Sequence, residues 1–483
     1  MDMALSFKPE KTGWRVRKDL FFPVIPQSEE DIQTRRDTLT QNIAALANEN
    51  LSVSDPALDI GITNFYLAYH NYNDRSLLQD IAKLHIKSCP ELAYEAQHCQ
   101  PERREKKDIL RIGFLSFLFR EHTVGKLMRG IIEHFSRDLF EVIIFRFGGN
   151  KDPMSEAIDQ AADKVVTLTR NLKKDRQIIG GEELDILFYP DIGIDPYTYF
   201  LSFARFAPVQ AVSWGHPDTT GIPNIDYFIS SALLELPEAS SHYSERLIRL
   251  AHLPTYYFRP DIPENPLTRS DLGLPREGHL YVCPQTLFKF HPGFDATLGD
   301  LLRRDPDGYL ILIDDARGGH WKRLLSDRFR FSLGDVIERI IFIPHMPGEK
   351  FLGLLTLADV VLDIPTFSGG NSSFEALAMG TPIITWPQDF MRGRVTAALY
   401  KQMGLHELIA TDADSYLSLA LRLVQDIDFK RRMQADIKAN VDKLYKRPEP
   451  VQEMERFFIA AYDAFRSAKP DRDWARDMIF TAG

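Results

Sequence analysis

Cysteine is nearly absent: Cys89, Cys99 and Cys283 are the only three in 483 residues. Three thiols leave one over in any disulfide framework, and no two stand as C-x-x-C. A zinc ribbon and a thioredoxin-type redox centre are therefore excluded. Also missing is an apolar run approaching the ~18 residues that a membrane-spanning helix needs. The opening stretch MDMALSFKPEKTGWRVRKDL lacks the apolar core of a secretory signal. Positive charge is in deficit, with 58 Lys and Arg against 68 Asp and Glu, a net charge of −10. Binding a phosphate backbone needs clustered cations, so nucleic acid is not an expected partner. These absences lead to the expectation of a reduced, cytoplasmic chain with no membrane span.

What is present is ordinary globular material, 44% apolar and 26% charged. At roughly 150 residues per domain, the length suggests about three domains. Residues 1–105 are expected to be a helical N-terminal domain. Apolar positions recur at helical spacing from Glu29 to Asn48 (Ile32, Ile43, Leu46), and Asn64 to Cys89 reads as two amphipathic helices joined at Asn73-Asp74. PERREKKD (Pro101 to Asp108) is a charged linker. The texture then changes to short apolar runs separated by helical stretches: IGFLSF, EVIIFRF, KVVTL, DILFYPD and AVSWG. After Pro260-Asp261-Ile262-Pro263 the alternation restarts with YVCPQ, YLILID, IIFIP, ADVVLDIP and TPIITWP. Alternating strands and helices imply parallel sheets covered on both faces. The expected fold class is thus α/β, with two doubly wound, Rossmann-like lobes over residues 106–260 and 261–450 and a C-terminal helix and tail over 451–483. Ligands would enter a cleft outside the strand carboxyl ends.

The loop Ser368-Gly369-Gly370-Asn371-Ser372-Ser373 falls between the strand VVLDIP and a helix expected to begin near Phe374. Glycines let backbone approach a ligand, and free N–H groups at a helix start favour a phosphate. Ser372 or Ser373 could cap that helix or donate to a diphosphate, and Glu375 could accept from ribose hydroxyls. Lys289 follows YVCPQ and could neutralise a departing diphosphate. In the first lobe His122, Asp191 and His216 follow three different strands and could form an acceptor site with a general base. Asp305-Pro306-Asp307, Asp412-Ala413-Asp414 and Asp471-Arg472-Asp473 read as turns rather than the Asp-x-Asp of metal-dependent sugar transfer. No His spacing suggests zinc. No metal and no cofactor are expected.

The ordered set FREHTVGKLM, FAPVQAVSWGHPDTTG, HYSERLIRL, CPQTLFKFHP, ADVVLDIP, GGNSSFEALAMGTP and RGRVTAALYKQMGLHELIA closely resembles the catalytic region of the O-linked N-acetylglucosamine transferase family, in its bacterial, SPINDLY-like form. The resemblance spans about Ile109 to Asn440. It implies a GT-B fold and a metal-independent, inverting transferase that takes a UDP-sugar as donor and a protein or peptide as acceptor. It further implies that Lys289 contacts the diphosphate, that Ser372 and Ser373 lie at the phosphate loop, that Glu375 holds ribose and that His122 stands near the acceptor. The 1–105 helices resemble the end of the helical segment that precedes catalysis in that family. His216 lies in an HP-x-TT motif shared with bacterial protein N-glucosyltransferases. Departures from the family occur at Thr286, at Gly370-Asn371-Ser372-Ser373, and at Phe351 and Leu354 beside the nucleotide, and they leave the donor hexose open. Two other readings are transfer of glucose to Asn, and a non-catalytic scaffold binding partners through its N-terminal helices.

Overall fold

The computed structural model describes residues 11–100, 106–149, 151–315, 318–467 and 478–481. Residues 101–105 of the expected linker and the turn Asp471-Arg472-Asp473 lie outside them. The N-terminal segment is built on helices α1 (Thr12–Leu20), α2 (Glu29–Ala47) and α3 (Arg75–Ser88). Ser28 caps α2 by accepting the Asp31 N–H, and three acidic residues occupy its first turn, as the helix dipole favours.

The first sheet contains β1 (Leu110–Leu115), β2 (Phe140–Phe147), β3 (Lys164–Leu168), β4 (Ile186–Tyr189), β5 (Val209–Ser213), β6 (Tyr227–Ser231) and β7 (Arg246–Leu250). The second contains β8 (His279–Cys283), β9 (Gly308–Ile313), β10 (Ile340–Ile343), β11 (Val360–Leu362) and β12 (Ile383–Ile384). A last strand, β13 (Ile479–Phe480), returns to the first sheet beside β7. Every pairing is parallel. The orders are β13-β7-β6-β5-β4-β1-β2-β3 and β10-β9-β8-β11-β12. The central strand β4 is buried at all four positions, whereas the edge strand β3 alternates toward solvent, as a sheet covered on both faces dictates. Helices α4 (Thr123–His134), α5 (Asn371–Ala378), α6 (Val395–Met403) and α7 (Glu449–Arg466) position the site or cover the sheets.

Several expectations are corrected. Asn64 to Cys89 holds one α-helix, α3, not two; before it lies only the 3-10 turn Phe65–Tyr69. Two residues past that turn stands Asn71, whose φ of 60° is left-handed, and the turn's aromatic rings pack on Phe288 and Phe367 instead of forming a helical stripe. Strands β6, β7 and β13 add to those expected. The C-terminal helix α7 packs on the first sheet, with Phe457 on Tyr227, Phe458 on Phe188 and the buried Glu453 accepting from His252. The N-terminal segment docks on both lobes. Gly221, at φ 72°, lies so near the backbone of Leu78 that a Cβ would come within 2.4 Å of it. On the other side Arg328 and Arg392 of the second lobe donate to the carbonyls of Pro26 and Tyr72.

Candidate active site

In each sheet the strand order reverses once, between β1 and β4 and between β8 and β11. The loops leaving such a pair run apart and open a crevice at the carboxyl ends. The groups singled out above hang on these loops: Ser116 to His122 after β1, Asp191 after β4, Pro284 to Lys289 after β8 and Asp363 to Ser373 after β11. Two adjoining cavities of about 380 and 540 Å³ fill the crevice and share His122, Thr286 and Phe288 among their walls. Volumes of this order suit a small-molecule ligand.

The loop after β11 is organised from beneath by Asp363. Its carboxylate accepts from the Gly369 N–H at 2.6 Å and from the Ser368 and Thr385 hydroxyls at 2.7 Å each. Burial raises its pKa against those bonds. Helix α5 starts at Asn371, three residues before the expected Phe374, because Ser372 and Ser373 form its first turn. Neither serine caps it, and Gly370 at the cap position offers no side chain. The helix N-terminus is therefore open, and Gly370, Asn371 and Ser372 line the smaller cavity. Ser373 instead points inward, 2.7 Å from the Thr396 hydroxyl. Gly369 is buried beneath the loop, where a Cβ would strike the Ser373 hydroxyl at 2.3 Å.

Lys289 ends a 3-10 turn, with its ammonium 4.5 Å over the Phe367 ring and on the wall of the same cavity. Burial pulls its pKa down to about 8, an effect that the Asp363 carboxylate opposes. Glu375 also borders the cavity. One of its oxygens is held at 2.9 Å by Lys126 of α4, so an ion pair spans the two lobes.

The first lobe divides its three candidates. His122 lines both cavities and caps α4, its Nδ1 accepting the Val124 N–H at 3.2 Å. Burial, with Arg120 nearby, lowers its pKa to about 4. With Nδ1 engaged as acceptor, the neutral ring carries its proton on Nε2 and can donate from there. Asp191 and His216 do not border the cavities. Asp191 is buried behind Gly215, accepts from the Ser116 hydroxyl at 2.5 Å, and is pushed up to about 8 by burial. The His216 ring packs on Phe65, with centroids 4.8 Å apart, and against Gly193 (φ 112°), where a Cβ would come within 2.7 Å of the ring. Burial, then Arg392, lowers the His216 pKa to about 3.

Further residues belong to this site though the sequence reading missed them. Asp363, like Asp191, is an acid ending a strand, which was the one available signal. Arg392 lines the cavity while contacting Asp218 at 3.4 Å and Asp74 at 3.7 Å, and its carbonyl accepts the Ser368 N–H. Phe65 and Tyr69 reach in from the N-terminal segment. Of the two departures on the Gly348–Leu357 helix, Phe351 borders the larger cavity and Leu354 is wholly buried in the core. The two described acidic turns are structural: Asp305 accepts from Tyr281 and Asp412 caps the helix that follows it. Among the described residues no three His, Cys, Asp or Glu side chains cluster as a metal site.

Two parallel-sheet lobes facing one crevice, with a cation and an open helix N-terminus on one wall, make up a GT-B fold. An O-GlcNAc transferase mutant from Thermobaculum terrenum shares the fold at a TM-score of 0.65 and 22% identity, over 91% of this chain and 84% of that one. The description of Glycosyl transferase family 41 matches residues 73–265 and 261–446, and the chain belongs to that family. It is 28% identical over 343 residues to the "Probable UDP-N-acetylglucosamine--peptide N-acetylglucosaminyltransferase SEC" of Arabidopsis thaliana, which covers 68% of this chain and 34% of the relative. To the UDP-glucose:protein N-beta-glucosyltransferase of Actinobacillus pleuropneumoniae it is 25% identical over 298 residues, 56% of this chain and 45% of that protein. The chain thus spans about a third to a half of the length of these relatives.

Proposed function

We propose that this chain is a metal-independent, inverting glycosyltransferase that moves a hexose, N-acetylglucosamine or another, from a UDP-sugar to a Ser or Thr hydroxyl of a protein. The supporting observation is the convergence of Lys289 and the open α5 N-terminus on one cavity, opposite His122. In this reading the diphosphate lies against Lys289 and the N–H groups of Asn371 and Ser372, and Glu375 faces the ribose. The acceptor oxygen attacks the anomeric carbon from the face away from the diphosphate. The carbon–oxygen bond to phosphate breaks, and UDP leaves with the electron pair while the hydroxyl proton passes to water in the cavity. His122 orients the acceptor through Nε2–H, and Asp191 and His216 support that wall from behind. The proposed setting is cytoplasmic, where the three buried free thiols stay reduced. No helix among the described residues is long and apolar enough to cross a membrane.

A donor screen tests the reading: purified chain with UDP-glucose, UDP-N-acetylglucosamine, UDP-galactose and GDP-fucose, followed for hydrolysis or transfer. Mass spectrometry of a modified peptide separates the linkages. The likeness to the Actinobacillus enzyme favours an Asn-linked hexose as second reading. No binding of UDP by calorimetry would return the chain to the scaffold reading.

Two further outcomes follow from the site. Because Lys289 titrates near 8 in the free protein, its charge is present below that pH and is lost above it. UDP affinity measured by calorimetry should hold from pH 6 to 7.5 and fall by up to about tenfold per unit above pH 8. An affinity unchanged between pH 7 and 9.5 would remove Lys289 from the diphosphate. His122→Ala should leave UDP affinity within about threefold, under ~0.7 kcal/mol, and lower transfer about tenfold, the effect of one orienting hydrogen bond. Loss of UDP binding with full turnover at saturating donor would place His122 on the nucleotide side.

A further inference from the structure

The N-terminal segment sends one turn into the cleft. Phe65 and Tyr69, at the two ends of the turn Phe65–Tyr69, border the same cavity as Lys289, Gly370 and Ser372. Their rings extend an aromatic wall that begins in the second lobe. Tyr69 lies 4.5 Å from Phe367 and 4.8 Å from Phe288, and Phe65 lies 5.5 Å from Tyr69, centroid to centroid. Since the Lys289 ammonium stands over Phe367, the wall starts at the cation itself. The turn is braced on three sides. Asn64 donates to the carbonyl of Leu20, Thr63 to that of Gly193, and Arg392 to that of Tyr72. Four rings required only to fill a core would have no need to border a cavity, and these four do.

A hexose bonded to the β-phosphate stays within a few bonds of the group that holds that phosphate. With the diphosphate at Lys289, the surface next to it is this wall. A pyranose presents a face of C–H groups, and the electron-rich face of an aromatic ring is suited to receive it. We infer that Tyr69 and Phe65 form a shelf on which the transferred hexose stacks, so that the N-terminal segment is a part of the donor site. The inference rests on the nucleotide-sugar reading above, and it makes Tyr69 and Phe65 determinants of sugar binding rather than of nucleotide binding.

The test is calorimetric titration of the full chain with UDP, UDP-glucose and UDP-N-acetylglucosamine, for the native protein, Tyr69→Leu, Phe65→Leu and the ring-keeping Tyr69→Phe. The Leu variants should bind UDP within about twofold of the native chain. Each should bind whichever UDP-sugar the native chain prefers at least about fivefold more weakly, and Tyr69→Phe should restore that affinity. Tyr69 is buried, so if Tyr69→Leu fails to melt cooperatively, Phe65→Leu, whose residue is only partly buried, decides. Equal losses for UDP and UDP-sugar would make the rings packing residues and overturn the shelf. Unchanged affinity for both, with a raised KM for a peptide acceptor, would assign the wall to the acceptor and overturn it equally. If the native chain binds neither UDP nor a UDP-sugar, the nucleotide-sugar reading falls and the shelf with it; in the two preceding outcomes only the shelf falls.

Discussion

Lys289→Ala is expected to lower turnover by about 10²-fold or more while the chain keeps its fold. The diphosphate gains negative charge as the glycosidic bond breaks, and a group already in place to meet that charge acts in the transition state without reorganising. Removing one such preorganised donor costs ~3–4 kcal/mol, or 10² to 10³ in rate. The protein has already met the cost of keeping Lys289 there: burial lowers its pKa to about 8, and its ammonium lies over the Phe367 ring. Relieving that burden should leave the melting temperature within about 3 °C. The measurement is turnover of the purified variant with the donor found in the screen, beside a thermal melt. Near-normal turnover in a folded variant would overturn the assignment of Lys289.

Asp363→Ala should be the most damaging change that touches no ligand. The carboxylate gathers the Gly369 N–H and the Ser368 and Thr385 hydroxyls, and Ser368 in turn lies 2.9 Å from the Thr396 hydroxyl that meets Ser373. Hydrogen bonds to a charged group contribute ~1.5–3 kcal/mol each, and donors left buried without a partner cost more. A loss of about 3 kcal/mol or more in stability is expected. UDP affinity should fall about tenfold, or ~1.4 kcal/mol, because the helix start loses the loop that aims it. Thr385→Val, which removes one donor from the same carboxylate, should cost less in both respects. UDP binding by folded Asp363→Ala that matches the native chain would show that the loop holds its shape without this carboxylate.

The difference between His122 and His216 shows where a linear reading runs out. Both follow apolar strands of the first lobe, and spacing places both at strand carboxyl ends. The structure keeps one on the cavity wall and turns the other behind it, where the ring fills the space between Phe65 and Gly193. That outcome depends on a residue far earlier in the chain, and periodicity carries no trace of such a contact. The helix start at Asn371 was missed for a local reason. Gly-Gly-Asn-Ser-Ser reads as loop chemistry until the Asp363 network shows that its last three residues are already helical. Conversely, the strand ends at Lys289 and at the Gly-Gly-Asn-Ser loop were legible, since Val- and Ile-rich runs followed by Gly, Pro or Ser mark them plainly.

What the sequence determined by itself is the α/β class, the two-lobed alternation of strands and helices, and the line of polar groups waiting at strand ends. These follow from local rules: fully buried parallel strands must be apolar, and the turns that leave them need small or polar residues. Only the tertiary structure decided which of those groups share a cavity and which stand behind it. It alone revealed that Asp363 shapes the Gly369-Gly370 loop, that Lys126 reaches Glu375 across the cleft, and that Phe65 and Tyr69 border the same cavity. Each of these joins residues far apart in the chain, or depends on the order in which strands lie side by side. That order is set by how whole sheets and helices pack, not by any stretch of sequence short enough to carry a periodic pattern.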